Sequence, residues 1–262
     1  MKASKKASPL RIDILTIFPR MFEGVLSESL LGKAREKGLL DVRLHDVRDH
    51  SQDKRRGVDD RPYGGGAGMV MMAEPIFRAL RAAGVPGGKR RGAGPTVIYL
   101  SPQGRPLTQK LAAELASKKR LVLLAGHYEG IDERLFDWID LEVGVGDVVY
   151  TGGEIPALAL VDAVARTVPG VIKEADSVHF DSFSDGWKGL LDCPHYTRPA
   201  VWRGRKVPDV LLSGDHGAIR AWREGQALAN TKLKRPDLLA GRNDLRQGPL
   251  PGARRKRKGK VS

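Results

Sequence analysis

The feature that most constrains this chain is an alternation, over its first two thirds, of short apolar runs with helix-period segments. Runs rich in Ile, Leu and Val occur at residues 11–18, 40–46, 96–100, 120–125 and 141–145. Between them, apolar residues recur at helical spacing over 22–37, 74–83, 108–118, 132–138 and 155–168. Strands joined through helices pair in parallel, since an antiparallel neighbour needs only a tight turn. The alternation predicts an α/β domain with a mainly parallel sheet.

Three of the expected strands run into loops of one type: Ser101-Pro-Gln-Gly-Arg105, Ala125-Gly-His-Tyr-Glu-Gly130 and Gly144-Val-Gly-Asp-Val-Val-Tyr-Thr-Gly-Gly-Glu154. A further glycine-rich stretch is Tyr63-Gly-Gly-Gly-Ala-Gly-Met69. In an open α/β sheet, ligands bind beyond the carboxyl ends of strands, where glycine lets the backbone approach closely. One such cluster reads as readily as a tight turn, but three on one sheet edge read as a ligand site. None is a P-loop or a dinucleotide fingerprint. Acidic Glu129, Asp147 and Glu154 outweigh basic residues in these loops, which disfavours a polyphosphate and suits a cationic ligand such as S-adenosylmethionine. An NAD site, which also uses an acidic residue, stays open at this level.

After Pro169-Gly170 the periodicity lapses and Asp, Ser, Gly and Pro accumulate. The stretch Asp181-Ser-Phe-Ser-Asp-Gly-Trp-Lys-Gly-Leu-Leu-Asp-Cys-Pro-His-Tyr-Thr-Arg-Pro199 mixes groups that handle protons, phosphates and bases with apolar anchors. A structured linker is its plain alternative reading. Ser213-Gly-Asp-His216 offers a capping signal for a helix over 218–233, and Pro236-Asp-Leu-Leu239 begins another short one. The expected organisation is a basic disordered extension over 1–9, a ligand-binding α/β domain over 10–172, a linker over 173–189, a small helical domain over 190–245, and a basic disordered tail over 246–262.

Charge narrows the partners. The 262 residues hold 45 Lys plus Arg against 31 Asp plus Glu, a net charge of +14, for which a polyanion is the natural partner. Lys2, Lys5, Lys6 and the run Arg254-Arg-Lys-Arg-Lys-Gly-Lys260 carry much of it, yet a modest positive body remains. The single cysteine, Cys193, excludes an internal disulfide and any multi-cysteine metal centre. No apolar run reaches the length of a bilayer span, and a cytoplasmic protein without membrane association is expected.

These motifs, taken in order, resemble the TrmD family of bacterial tRNA (guanine-N1)-methyltransferases, of the SPOUT class. The residues carrying the resemblance are Asp13-Ile-Leu-Thr-Ile-Phe-Pro19, Arg61-Pro-Tyr-Gly-Gly-Gly-Ala-Gly-Met69, Tyr99-Leu-Ser-Pro-Gln-Gly104, Gly126-His-Tyr-Glu-Gly-Ile-Asp-Glu-Arg134, Gly146-Asp-Val-Val-Tyr-Thr-Gly-Gly-Glu154, Asp181-Ser-Phe183 and His195-Tyr-Thr-Arg-Pro199. The resemblance implies a deep trefoil knot, a homodimer and methylation of the guanosine at tRNA position 37, beside the anticodon, with S-adenosylmethionine as donor. It implies that Tyr99, Leu100, Ser101, Pro102, Gly126, Tyr128, Gly130, Val145, Gly146, Asp147, Val148, Val149, Tyr150, Gly152 and Gly153 surround that cofactor. Asp181 becomes the expected general base and Arg166 the cation that stabilises charge on the guanine oxygen. Asp192, Arg198 and Lys188 are expected at the tRNA, and Glu129 with Asp181 at a magnesium ion. The segment between Phe183 and Leu190 is longer than the family pattern, so Trp187 and Lys188 read as a small insertion. The tail and the Lys89-Arg-Arg91 loop are expected to add nonspecific RNA affinity. A knotted methyltransferase acting on another RNA atom, and a noncatalytic RNA-binding protein with a decayed pocket, are the competing readings.

Overall fold

The computed structural model describes residues 8–88 and 94–242, without the side chains of Ala175 and Asp176. The Lys89-Arg-Arg91 loop, the basic tail and most of the amino-terminal extension lie outside the described residues. The chain divides into two compact units between Ala175 and Asp176.

In the first unit the elements run β1 (Leu10–Thr16), α1 (Arg20–Ser27), α2 (Ser29–Glu36), β2 (Leu40–Asp46), a two-residue ladder of β3 (Asp59–Asp60) and β4 (Val70–Met71), α3 (Ala73–Ala82), β5 (Thr96–Pro106), α4 (Gln109–Ala116), β6 (Arg120–Ala125), β7 (Leu141–Gly144) and α5 (Glu154–Thr167). The main sheet has the order β2-β1-β6-β5-β7, and every pairing in it is parallel. Side chains alternate between two cores. Ile98, Leu100, Leu121 and Leu123 join Phe22, Leu26 and Val161 on one face. Val97, Tyr99, Val122 and Leu124 join Ile76 and Leu80 on the other. Helices covering both faces leave the strand ends as the place for a ligand.

Two expectations need correction. The single helix expected over 22–37 is two helices, broken where Glu28 is extended and Ser29 has a φ of 53°. Phe22 and Leu26 bury on one stripe and Leu31 and Ala34 on the next; the step from Leu26 to Leu31 is a residue too long for one continuous stripe, and the break restores the phase. The segment expected as a helix at 132–138 is a 3-10 turn, Glu133–Trp138, capped by the Asp132 side chain on the Arg134 N–H.

The fully buried Asp13 ties three strands together. Its carboxylate accepts hydrogen bonds from Arg11 at 2.8 Å, Arg120 of β6 at 2.8 Å and His45 of β2 at 2.8 Å. Burial alone would raise this carboxyl, but the bonds from His45, Arg11 and Arg120 outweigh it and hold the group well below the usual carboxylate range. Since the folded value is depressed, its stabilisation is present above the ordinary value of 3.8 and is lost as pH falls through the folded one. Asp13→Asn is expected to cost about 3 kcal/mol at neutral pH, as for a broken buried pair. Denaturant unfolding of both proteins across the acid range checks this: a constant gap down to low pH would refute it.

In the second unit, α6 (Ala175–His179) leads from the boundary into a loop. Then come a hairpin of β8 (Val201–Trp202) and β9 (Arg205–Lys206), and α7 (His216–Lys234). The Asp215 side chain caps α7 by accepting from the Ala218 N–H at 3.0 Å. Trp187, Leu190, Cys193, Ala227 and Leu239 form its core. Trp187, expected in a linker, is thus a core residue of this unit. Thr231 of α7 accepts from the Leu191 N–H at 2.9 Å, and Asn230 donates to the Asp192 carbonyl at 3.0 Å, fixing the preceding loop onto the helix.

Candidate active site

The carboxyl ends of β6, β5 and β7 lie side by side, and the three glycine-bearing loops that leave them enclose a cavity of about 340 Å³. Its walls include Tyr99, Leu100, Ser101, Pro102, Gly126, Tyr128, Gly130, Val145, Val148, Val149, Tyr150, Gly152 and Gly153. Gly146 and Asp147, expected with them, are not in the lining. The stretch 63–69 is not there either. It runs behind the second loop, where the Glu129 N–H donates to the Met69 carbonyl at 3.0 Å and the Met71 N–H to the Gly130 carbonyl at 2.9 Å.

Close backbone passages build this cavity. Beyond Leu100, β5 loops out and then pairs with β7 again, so that Leu100 and Arg105 both register with Val143. At Gly104 a β-carbon would sit 2.3 Å from the Val143 nitrogen, and at Gly153 one would sit 2.7 Å from the Ala125 Cα. Only glycine fits either crossing. The Gly153 N–H donates to the Gly126 carbonyl at 2.7 Å, stitching the third loop to the second.

Sequence reasoning missed several groups at this site. Glu133, Glu142 and Phe136 also line the cavity, which with Glu129 makes it acidic, and no lysine or arginine is among its lining residues. Tyr99 is buried, and its hydroxyl is pushed up to about 12 by burial first, then by the charges of Glu142 and Glu133. Tyr99 therefore stays protonated at neutral pH. Beneath the loops, the buried Glu154 carboxylate accepts from the Thr16 hydroxyl at 2.7 Å and meets His127 Nε2 at 2.7 Å. Glu154 is a structural anchor of the loops, and it is absent from the cavity lining. The Gly-Gly pair before it was the available signal, because a β-carbon at Gly152 would overlap the His127 ring.

Asp181 and Asp192 share a second cavity, of about 450 Å³, within the second unit. His195, Arg220 and Arg223 line it as well. Asp192 is oriented from two sides: its carboxylate accepts from the Cys193 N–H at 2.6 Å and meets His195 Nε2 at 2.7 Å. The buried Cys193 thiol is pushed up to about 11 by burial first and then by Asp192, so it is no nucleophile at neutral pH. Asp192, Cys193 and His195 are also the one trio of metal-capable groups brought together among the described residues. The exposed Arg198 lines a neighbouring cavity of about 420 Å³ with His195 and Arg223. Lys188 is exposed at a φ of 52°, outside both cavities. Arg166 lies half-buried in the last turn of α5, and Glu129 is exposed in the loop after β6; both belong to the first unit.

Comparison with known proteins covers both units. A family model described as tRNA (Guanine-1)-methyltransferase TrmD matches residues 10–241. A tRNA (guanine-N(1)-)-methyltransferase of Endomicrobium trichonymphae is 51% identical over 237 residues, 88% of this chain and 99% of the relative. Proteins of the same name from Aromatoleum aromaticum and Chloroflexus aurantiacus are 50% and 53% identical, over 90% and 88% of this chain and 89% and 88% of their own lengths. With that extent of match, across the glycine loops and the Asp181 segment alike, the chain belongs to the TrmD family of tRNA (guanine-N1)-methyltransferases.

Proposed function

We propose that this chain, an enzyme of the tRNA (guanine-N1)-methyltransferase family, methylates N1 of the guanosine at position 37, 3′ of the anticodon, using S-adenosylmethionine. The observation that carries the cofactor assignment is the acidic cavity at the β6-β5-β7 edge. Glu129, Glu133 and Glu142 with no facing cation suit a ligand bearing a sulfonium and an ammonium. Its volume falls within the range of about 300 to 1,000 Å³ usual for ligand sites. Bound there, S-adenosylmethionine supplies an electrophilic methyl group; the remaining chemistry belongs to the protein.

Guanine N1 carries a proton at neutral pH, so its lone pair is available only as that proton leaves. Asp181 is the base in this reading, accepting the N1 proton onto a carboxylate oxygen. Negative charge then moves onto O6, where the Arg166 guanidinium stabilises it. Within the second unit's cavity, Asp192 and its partner His195 help to shape the base pocket, and Arg198, Lys188 and the basic face of α7 hold anticodon stem-loop phosphates. The base leaves the loop stack to expose N1. Magnesium takes carboxylate oxygens, which Glu129 and Asp181 each offer in this reading.

A SPOUT-class knot is part of the same proposal. The return of β5 onto β7 around the 101–104 loop, and the side-chain-free crossings at Gly104 and Gly153, are its support. The limits 10–172 and 190–245 are kept in this proposal as modules for the cofactor and for tRNA, with the segment between them contributing Asp181 and, through Trp187, part of the second unit's core. A homodimer is supported by the exposed apolar side chains Phe18, Met21, Val25, Leu30 and Ile155. No described helix is long and apolar enough to cross a membrane, and we place the activity in the cytoplasm, where tRNA is.

Purified protein incubated with labelled S-adenosylmethionine and two tRNA transcripts, differing only by guanosine or adenosine at position 37, tests the assignment. Label is expected in the guanosine transcript alone. Label in both, or in neither, would return the chain to another RNA target.

A further inference from the structure

Residues 201–206 of the β8–β9 hairpin line none of these three cavities, and nothing above has used them. Its sequence from Arg198 to Val207 holds Arg198, Arg203, Arg205 and Lys206 and no acidic residue. Residues 195–206 are all exposed, including Trp202 at 57%. A tryptophan so exposed forfeits much of the stabilisation that burying its ring would bring and leaves the ring available to a ligand.

The hairpin is built to present that ring. Arg203 and Gly204 both have positive φ, 49° and 76°, the geometry of a two-residue turn whose twist matches its strands. The Val207 N–H donates to the Ala200 carbonyl at 2.9 Å, closing the base. In the ladder Trp202 stands directly opposite Arg205, which puts the two side chains on one face. The Arg203 guanidinium lies 5.0 Å from the Trp202 ring centre. An indole flanked by two guanidiniums, with Lys206 at the hairpin's edge, has the composition of a single-strand nucleic-acid platform: an aromatic face for a base and cations for the phosphates beside it. An acidic peptide could use the charges but not the indole face that Arg203 leaves open.

We propose that this hairpin is a second RNA contact, in which Trp202 stacks on an unpaired base of the tRNA while Arg203, Arg205 and Lys206 bind adjacent phosphates. The contact lies outside the groups that handle the target guanosine. It rests on the reading of tRNA as substrate, and it acts on binding alone.

The test uses the full chain and the same tRNA transcript. Trp202→Ala is expected to raise the KM for tRNA about 5- to 150-fold, the range of one base-aromatic stack, whereas Trp202→Phe keeps most of the affinity. The triple variant Arg203→Gln, Arg205→Gln, Lys206→Gln is expected to flatten the slope of log Kd against log salt by about two to three, one phosphate's worth per cation lost. In all of them, kcat at saturating tRNA, the Kd for S-adenosylmethionine and the thermal midpoint should match wild type. Unchanged KM and salt slope in the triple variant would overturn the contact, and unchanged KM in Trp202→Ala would overturn the stacking. If wild-type protein left tRNA unmethylated, the substrate reading would fail separately, and gel-shift salt slopes would still decide the hairpin.

Discussion

Replacing Asp181 with alanine is expected to lower the single-turnover rate of methyl transfer to tRNA by about 10²- to 10⁴-fold, the contribution of one positioned general base. The physical reason is the N1 proton: without an acceptor, the nucleophilic lone pair is exposed only in the rare deprotonated guanine. Cofactor affinity should be unchanged, because the acidic cavity is lined wholly by residues of the first unit. Asp181→Asn preserves the shape and removes the basicity, so it should match alanine in rate. Rapid-quench measurement with labelled S-adenosylmethionine, alongside equilibrium dialysis of the cofactor, separates the two quantities. An Asp181→Asn rate within threefold of wild type would make the residue structural.

Gly104→Ala is expected to be a severely damaging single methyl. Its β-carbon would lie 2.3, 2.5 and 2.6 Å from three backbone atoms of Glu142 and Val143, none of which can turn aside as a side chain would. Either β7 leaves its register with β5 or the 101–104 loop is expelled, and both open the cavity. A cost of about 4 kcal/mol or more, at the exceptional end for point substitutions, is expected, together with loss of cofactor binding. Gly24→Ala is the control: that glycine is in α1 with nothing within 4 Å of its would-be β-carbon, so alanine there should be neutral or stabilising by up to about 1 kcal/mol. Denaturant midpoints of the two variants settle the comparison. Equal midpoints would mean that the crossing at Gly104 relaxes freely.

Much of this architecture could be read from the chain because parallel strands announce themselves as short Val, Ile and Leu runs between helices. All five strands of the main sheet fall on the expected runs, although β5 extends past Leu100 through its excursion to Pro106. The loops of the acidic cavity were legible for a related reason, since glycine marks backbone that must come close to something. What periodicity could not supply was register. Glu142 faces the cavity because β7 pairs Glu142 with Tyr99, and that pairing is a property of two strands together. Glu154 was read as a charge available to a ligand, yet it is buried against Thr16 and His127, partners remote in sequence. Trp187 was placed in a linker because its neighbours lack a period, but one large aromatic is enough to seat an irregular segment in a small core.

The strand order has a consequence during synthesis. Arg11 of β1 stands opposite Arg120 of β6, so β1 is made more than a hundred residues before the central strand with which it pairs. At about 5 to 20 residues per second, β1 waits on the order of five to twenty seconds for that neighbour. Meanwhile it has β2 on one side and an open row of amides and carbonyls on the other. The nascent chain therefore passes through an interval in which β1 is half-paired, and the edge that carries the acidic cavity is completed only once β7 has followed.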